Sequence, residues 1–171
     1  MIRQKLFTVI SKIAPTNVAY AHCDIPCGIY DPHMSQMAVH TVIRMTNLIN
    51  DLKASSSEPP FDERKKIISQ ISRLTKVKEE HAELVKHEIR VLWGDYFKEE
   101  HLKDHPELHN LVFKTMKLAS KARQEVNMEA AKELLETVQK TAEVFWKTKG
   151  LKTMRMTAPY PSGGTIVVPK S

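Results

Sequence analysis

Cysteine is nearly absent from this chain: Cys23 and Cys27 are the only two, and they lie four residues apart. A disulfide between them would close a loop too small to hold a fold together, so a stapled framework is excluded and a chemical use of the pair is expected. No apolar stretch is long enough to cross a bilayer, which leaves a soluble globular product and no membrane partner as the expectation. A large excess of one charge is also missing. The formal net charge is +6, of which Arg3, Lys5 and Lys12 supply three in a segment expected to be removed. No basic run alternates with aromatic residues, and the remaining Lys and Arg are interspersed with Glu, so the chain reads as a solvated helical surface and nucleic acid is excluded as a partner.

What is present is helical periodicity, framed by two irregular ends. The 171 residues suit one domain. Residues 1–21 begin with a basic start and a short apolar piece and end in Ala19-Tyr20-Ala21, a small-x-small cleavage pattern. Two readings fit: a secretory signal cleaved after Ala21, or a cytosolic propeptide. Lys12 and Pro15 interrupt the apolar centre, and a cytoplasmic location is the expectation. Residues 22–32, HCDIPCGIYDP, hold two prolines and a glycine and predict a compact turn.

Beyond that loop the apolar spacing predicts four helices, over about 33–53, 62–94, 106–124 and 127–149. The first takes Met34, Met37, Ala38, Thr41, Met45, Leu48 and Leu52 as its apolar face, with the methionines as core packing. Asp62 is the expected cap of the second, which ends near Gly94. Pro106 opens the third, and Asn127 caps the fourth, which Gly150 stops. Short connections make this an all-α antiparallel four-helix bundle with an N-terminal metal-binding hook loop, spanning residues 22–150. Residues 151–171 cannot continue the bundle and are expected as an extended tail. Within it, Thr165 to Val168 is a short strand, a segment docked on a partner subunit, or disordered.

The chemistry concentrates in residues 22–27. Two soft thiols beside an imidazole favour a transition metal, and among zinc, copper and nickel the coordination geometry discriminates. If the chain began at His22, that residue would offer a ring nitrogen and an α-amine with an ordinary pKa of about 7.7–8.0. The Cys23 amide nitrogen could close a chelate between the amine and the Cys23 thiolate, and the Cys27 thiolate would complete a plane of two nitrogens and two sulfurs. Such a site suits a one-electron redox cycle. An Ile25-Pro26 cis bond would fold Cys27 back towards Cys23, and Gly28 permits positive φ. The other histidines, His33, His40, His87, His101, His105 and His109, read as surface or satisfied interior residues. Trp93, Tyr96 and Phe97 read as bundle packing or subunit contact.

These residues resemble a known family. HCDIPCGIYDP is similar to the nickel hook of nickel superoxide dismutases, whose pattern is H-C-x-x-P-C-G-x-Y. The likeness continues through Lys78 to Lys98, HPELHNLV and VFWKTK, over roughly residues 22–149. The resemblance implies superoxide dismutase activity, converting superoxide to oxygen and hydrogen peroxide by Ni(III)/Ni(II) cycling, with one nickel ion per subunit. It implies His22, Cys23 and Cys27 as metal ligands, Tyr30 and Asp24 as catalytic residues around the substrate approach, a maturation peptidase that exposes His22, and a homohexamer. It also marks a departure: where some relatives carry a carboxylate and an arginine that orient the axial imidazole, Ala38 and His81 stand here. A metal-binding module that stores or delivers nickel, copper or zinc is the alternative, and Tyr30 with irreversible maturation favours the enzyme.

Overall fold

Residues 33–50 lack a side chain that caps their start, yet their first turn is held from both sides of Pro32. The His33 N–H donates to Asp31 Oδ1 at 2.7 Å, and Ser35 Oγ donates to the Pro32 carbonyl at 2.7 Å. Helix α1 (His33–Asn50) therefore grows directly out of the loop before it. The computed structural model describes residues 27–170, and the leader, His22, Cys23, Asp24 and the Ile25-Pro26 bond lie outside those residues.

Helix α2 (Phe61–Val91) starts two residues earlier than a cap at Asp62 would dictate, with Pro60 at the capping position. Asp62 sits in the first turn, and Glu63 reaches back to Ser55, whose N–H and Oγ both donate to its carboxylate. Gly94 does not stop this helix. Its backbone carries on as a π-helical turn (Leu92–Tyr96) and reverses only at Phe97, which is extended. The stretch expected as a plain link contains a short helix α3 (Glu99–Asp104), and α4 (Leu108–Gln124) begins two residues after Pro106. Helix α5 (Met128–Thr148) is capped by Asn127, whose side chain accepts the Ala130 N–H at 2.9 Å. It ends at Gly150, where φ is +72° and the N–H groups of Gly150 and Leu151 close on the carbonyls of Lys147 and Trp146. This is the glycine-terminated helix end that satisfies otherwise orphaned carbonyls.

The long helices form a ring in which α1 packs on α2 and α5, and α4 on α2 and α5. Trp93 of the π-helical turn meets His109 at the start of α4, while Glu83 of α2 pairs with Arg123 near its end, so these helices run antiparallel. Val39, Val42, Val85, Ile89, Leu134 and Phe145 are fully buried at the centre. The start of α1, the end of α2, the start of α4 and the end of α5 thus share one end of the bundle.

Two expectations need correction. Met34 and Met37 are 47% and 38% exposed, so the methionine row is not the core face of α1. The buried face holds Ser35, Gln36, Ala38, Val39, His40, Val42, Ile43 and Thr46. Periodicity of apolar residues missed it because its polar members are buried by bonding to other backbone. The other is the extended tail: of the readings open for Thr165 to Val168 the short strand holds, and it belongs to a hairpin. Strands β1 (Thr153–Thr157) and β2 (Thr165–Pro169) pair antiparallel as a hairpin, Thr153 opposite Pro169 and Thr157 opposite Thr165. Val167 is buried, and the hairpin packs on α5.

Candidate metal centre

The loop that leads into α1 is shaped at Gly28, whose φ of +71° lies in the region that only glycine enters without strain. That turn brings the Ile29 N–H to 3.4 Å from Cys27 Sγ, to which it donates. The same sulfur lies 3.9 Å from the Ile29 carbonyl, so the turn holds Cys27 Sγ against the Ile29 backbone from both sides. Cys27 is exposed, as are Gly28 and Ile29, while Pro32 is buried and anchors the base.

Tyr30, half-buried, turns inward. Its ring lies 5.4 Å from that of Tyr96 at an angle of 52°. Tyr96 is fixed in turn: its hydroxyl shares a hydrogen bond of 2.7 Å with Thr148 Oγ1, and its ring meets Phe145 at 4.6 Å and stacks on His101 at 5.6 Å. Lys149 Nζ lies 5.2 Å over the same ring. The π-helical turn, by widening the helix at Leu92–Tyr96, is what aims Tyr96 at the loop, as such bulges commonly do at functional sites. In sequence Tyr96 reads as bundle packing or subunit contact, with nothing to connect it to Tyr30. The aromatic run Trp93, Tyr96, Phe97 directly after a long helix was the signal.

Of the residues expected at the site, the structure brings Cys27 and Tyr30 onto one loop at one end of the bundle. His22, Cys23 and Asp24 lie outside the described residues. Among the described residues no group of three or more His, Cys, Asp or Glu side chains forms a metal cage. Ala38 is 2% exposed within the core and contributes only a methyl group. The His81 ring bonds back to its own helix, Nδ1 to the Val77 carbonyl at 2.9 Å, and lies about 15 Å along the helix axis from Val91.

The fold and this loop define the class: a helical bundle that carries a thiol-bearing loop at one end. The sequence model of the nickel-containing superoxide dismutase family matches residues 17–149. The superoxide dismutase [Ni] of Streptomyces coelicolor is 35% identical over 136 residues, 80% of this chain and 94% of its own length, and that of Streptomyces seoulensis is 36% identical over the same span. The native nickel superoxide dismutase structure superposes with a TM-score of 0.62 at 34% identity, covering 75% of this chain and 99% of that one. A nickel superoxide dismutase with its ligation in the oxidised state gives 0.64 at 32% identity, with the same coverage. The chain belongs to the nickel-containing superoxide dismutase family. It is an oxidoreductase that disproportionates superoxide with a nickel cofactor.

Proposed function

We propose that His22, Cys23 and Cys27 hold the nickel ion, and that Tyr30 and Asp24 shape the approach of superoxide to it. The observation that carries this reading is Cys27 itself, an exposed sulfur served by the Ile29 N–H on a glycine-shaped turn. The donor chemistry fits nickel: thiolate sulfur with amine and amide nitrogen suits a square-planar divalent ion. Removal of residues 1–21 makes the His22 amine available, so a maturation peptidase cutting after Ala21 is part of the proposal. When bound, nickel supplies a one-electron couple.

In the overall balance one superoxide gives up an electron and leaves as oxygen, while another gains that electron and two protons and leaves as hydrogen peroxide. The protein's share is positioning and exclusion. Tyr30, held against Tyr96, narrows the approach to a small anion and can donate its phenolic proton in a hydrogen bond to it. Lys149, over the Tyr96 ring, adds positive potential on that side. The interruption of the leader's apolar centre by Lys12 and Pro15 supports a cytoplasmic site of action. A homohexamer is part of the proposal, and Phe61, Ile68 and Ile71, exposed at 66%, 66% and 39% on the first half of α2, offer an apolar surface for self-association.

Metal analysis and low-temperature spin resonance on the chain beginning at His22 test the site. One nickel per chain and a rhombic Ni(III) signal are expected, and Cys27→Ser loses both. Tight nickel binding with no oxidised signal and no turnover would instead establish a carrier.

A further inference from the structure

The family match ends at residue 149, before the hairpin begins. A two-stranded ribbon leaves an outer edge of unpaired backbone groups on each strand. On β2 that edge is taken by side chains of the bundle. Gln36 uses both halves of its amide on one residue: Nε2 donates to the Val167 carbonyl at 3.0 Å, and Oε1 accepts the Val167 N–H at 2.7 Å. His40 Nε2 bonds the Thr165 carbonyl at 3.1 Å, Gln139 Nε2 donates to the same carbonyl, and Ser162 Oγ meets His40 Nδ1 at 2.8 Å.

The spacing explains the fit. Four residues of helix rise about 6 Å, and two residues of strand advance about 6.6 Å, so side chains at 36 and 40 meet successive outward-facing groups of one strand. Gln36, His40 and Gln139 are buried to 0%, 2% and 2% exposure. The two Gln36 bonds are fully buried, where an unmade one leaves an orphaned group, while those of His40 and Gln139 are partly buried.

We propose that the hairpin is a strap that positions the metal hook, and that Gln36 is the positioning residue through which it acts. This rests on the hook reading above. Gln36 is where the two structures meet: its backbone N–H donates to the Pro32 carbonyl at the exit of the loop, and its side chain holds Val167. Ser35 Oγ grips the same Pro32 carbonyl. The strap is fixed to α5 on both strands, at β2 through Gln139 and at β1 through Arg155, whose guanidinium pairs with Glu136 at 2.9 Å and Glu143 at 3.0 Å.

Helix α5 is also the reference for the other mount of the loop, because Tyr30 rests on Tyr96 and Tyr96 is tied to Thr148. Cys27 lies three residues before Tyr30 and five before Pro32, the two tethers of the loop. Loosening the strap lets α1 shift against α5, and that moves Pro32, at the exit of the loop, relative to the Tyr96 shelf on which Tyr30 rests.

The test uses the full chain from His22 to Ser171, loaded with nickel, and compares Gln36→Leu with wild type. Three quantities are read: the rate of nickel loss to a chelator, the rhombic spin-resonance signal, and hydrogen exchange at the amides of Thr165 to Val168. Gln36→Leu is expected to speed nickel loss by about tenfold, the low end for residues that support metal ligands indirectly, and to shift the resonance signal while the β2 amides exchange faster. Gln139→Leu, which leaves Gln36 in place, serves if Gln36→Leu does not fold, and the same changes are expected in smaller measure. Lys78→Met, which weakens the opposite end of the bundle, should leave nickel loss unchanged. Unaltered nickel loss and an unaltered signal in Gln36→Leu, whether or not the β2 amides exchange faster, would overturn the proposal. Failure of the hook reading is distinct: the wild-type chain would take up no nickel, or Cys27→Ser would retain it.

Discussion

Lys78 is 1% exposed and keeps all three of its donors engaged: Nζ bonds the carbonyls of Ala122 at 2.5 Å, Arg123 at 2.8 Å and Glu125 at 2.9 Å. These carbonyls close the end of α4, where a helix has unpaired acceptors and partial negative charge, so a cation there satisfies both. Lys78→Met would bury those carbonyls without a partner and should destabilise the fold by on the order of 3 kcal/mol, or a drop in Tm of ~10 °C for a chain of this size. Thermal unfolding by circular dichroism reads it, and a drop under about 2 °C would show that water replaces the lysine. The sequence did not reveal this role. Lys78 stands in a run of Lys and Glu that reads as a solvated face, and its partners lie more than 40 residues away. Gln36 and Gln139 escaped for the same reason, since a polar residue on a helix looks exposed until the backbone it serves is known, whereas His40 is the satisfied interior histidine that was one of its two readings. Gly28, Asn127 and Gly150 were legible because each acts on its immediate neighbours.

Among the elements, the π-helical turn departs most from a sequence reading. Glycine was expected to end α2, yet φ at Gly94 is not positive and a Cβ there would meet nothing within 4 Å. Gly94→Ala is therefore expected to be neutral or to stabilise by up to about 1 kcal/mol, through the lower backbone entropy of alanine in the unfolded chain. A clear loss of stability in a denaturant titration would mean that the turn needs glycine.

The hairpin carries a pH dependence. Burial pushes His40 below the ordinary histidine value of 6.5, partly offset by its bond to the Thr165 carbonyl. Arg44 lines the same hollow beside Tyr160 and Ser162, with no carboxylate among its walls to favour the imidazolium. Because the unfolded chain binds the proton more readily, the contribution of His40 is complete above pH 6.5 and is lost as pH falls from there through its folded value. Protection of the β2 amides should decrease on acidification below pH 6.5, and His40→Gln should flatten that dependence. Protection that is constant across this range would contradict the assignment. The hairpin was only partly foreseeable: the β-branched run at Thr165 to Val168 suggested a strand, but its docking depends on side chains 26 to 131 residues away.

At the scale of the whole molecule, four helices bring the loop, the Tyr96 shelf and the hairpin's anchor on α5 into one mechanical unit at the end where α1 begins. The all-α bundle was readable from periodicity, and the hook from a motif dense enough to resemble one family. The aromatic mount of Tyr30 required the fold, because Tyr96 lies 66 residues away in sequence. The hook should become a working centre only when His22 is the first residue. Superoxide dismutation by the nickel-loaded chain starting at His22, compared under identical loading with the chain starting at Met1, decides this. Rapid dismutation is expected from the first and none above background from the second. Equal activity from both would contradict it, since the His22 amine would then have no part in the site.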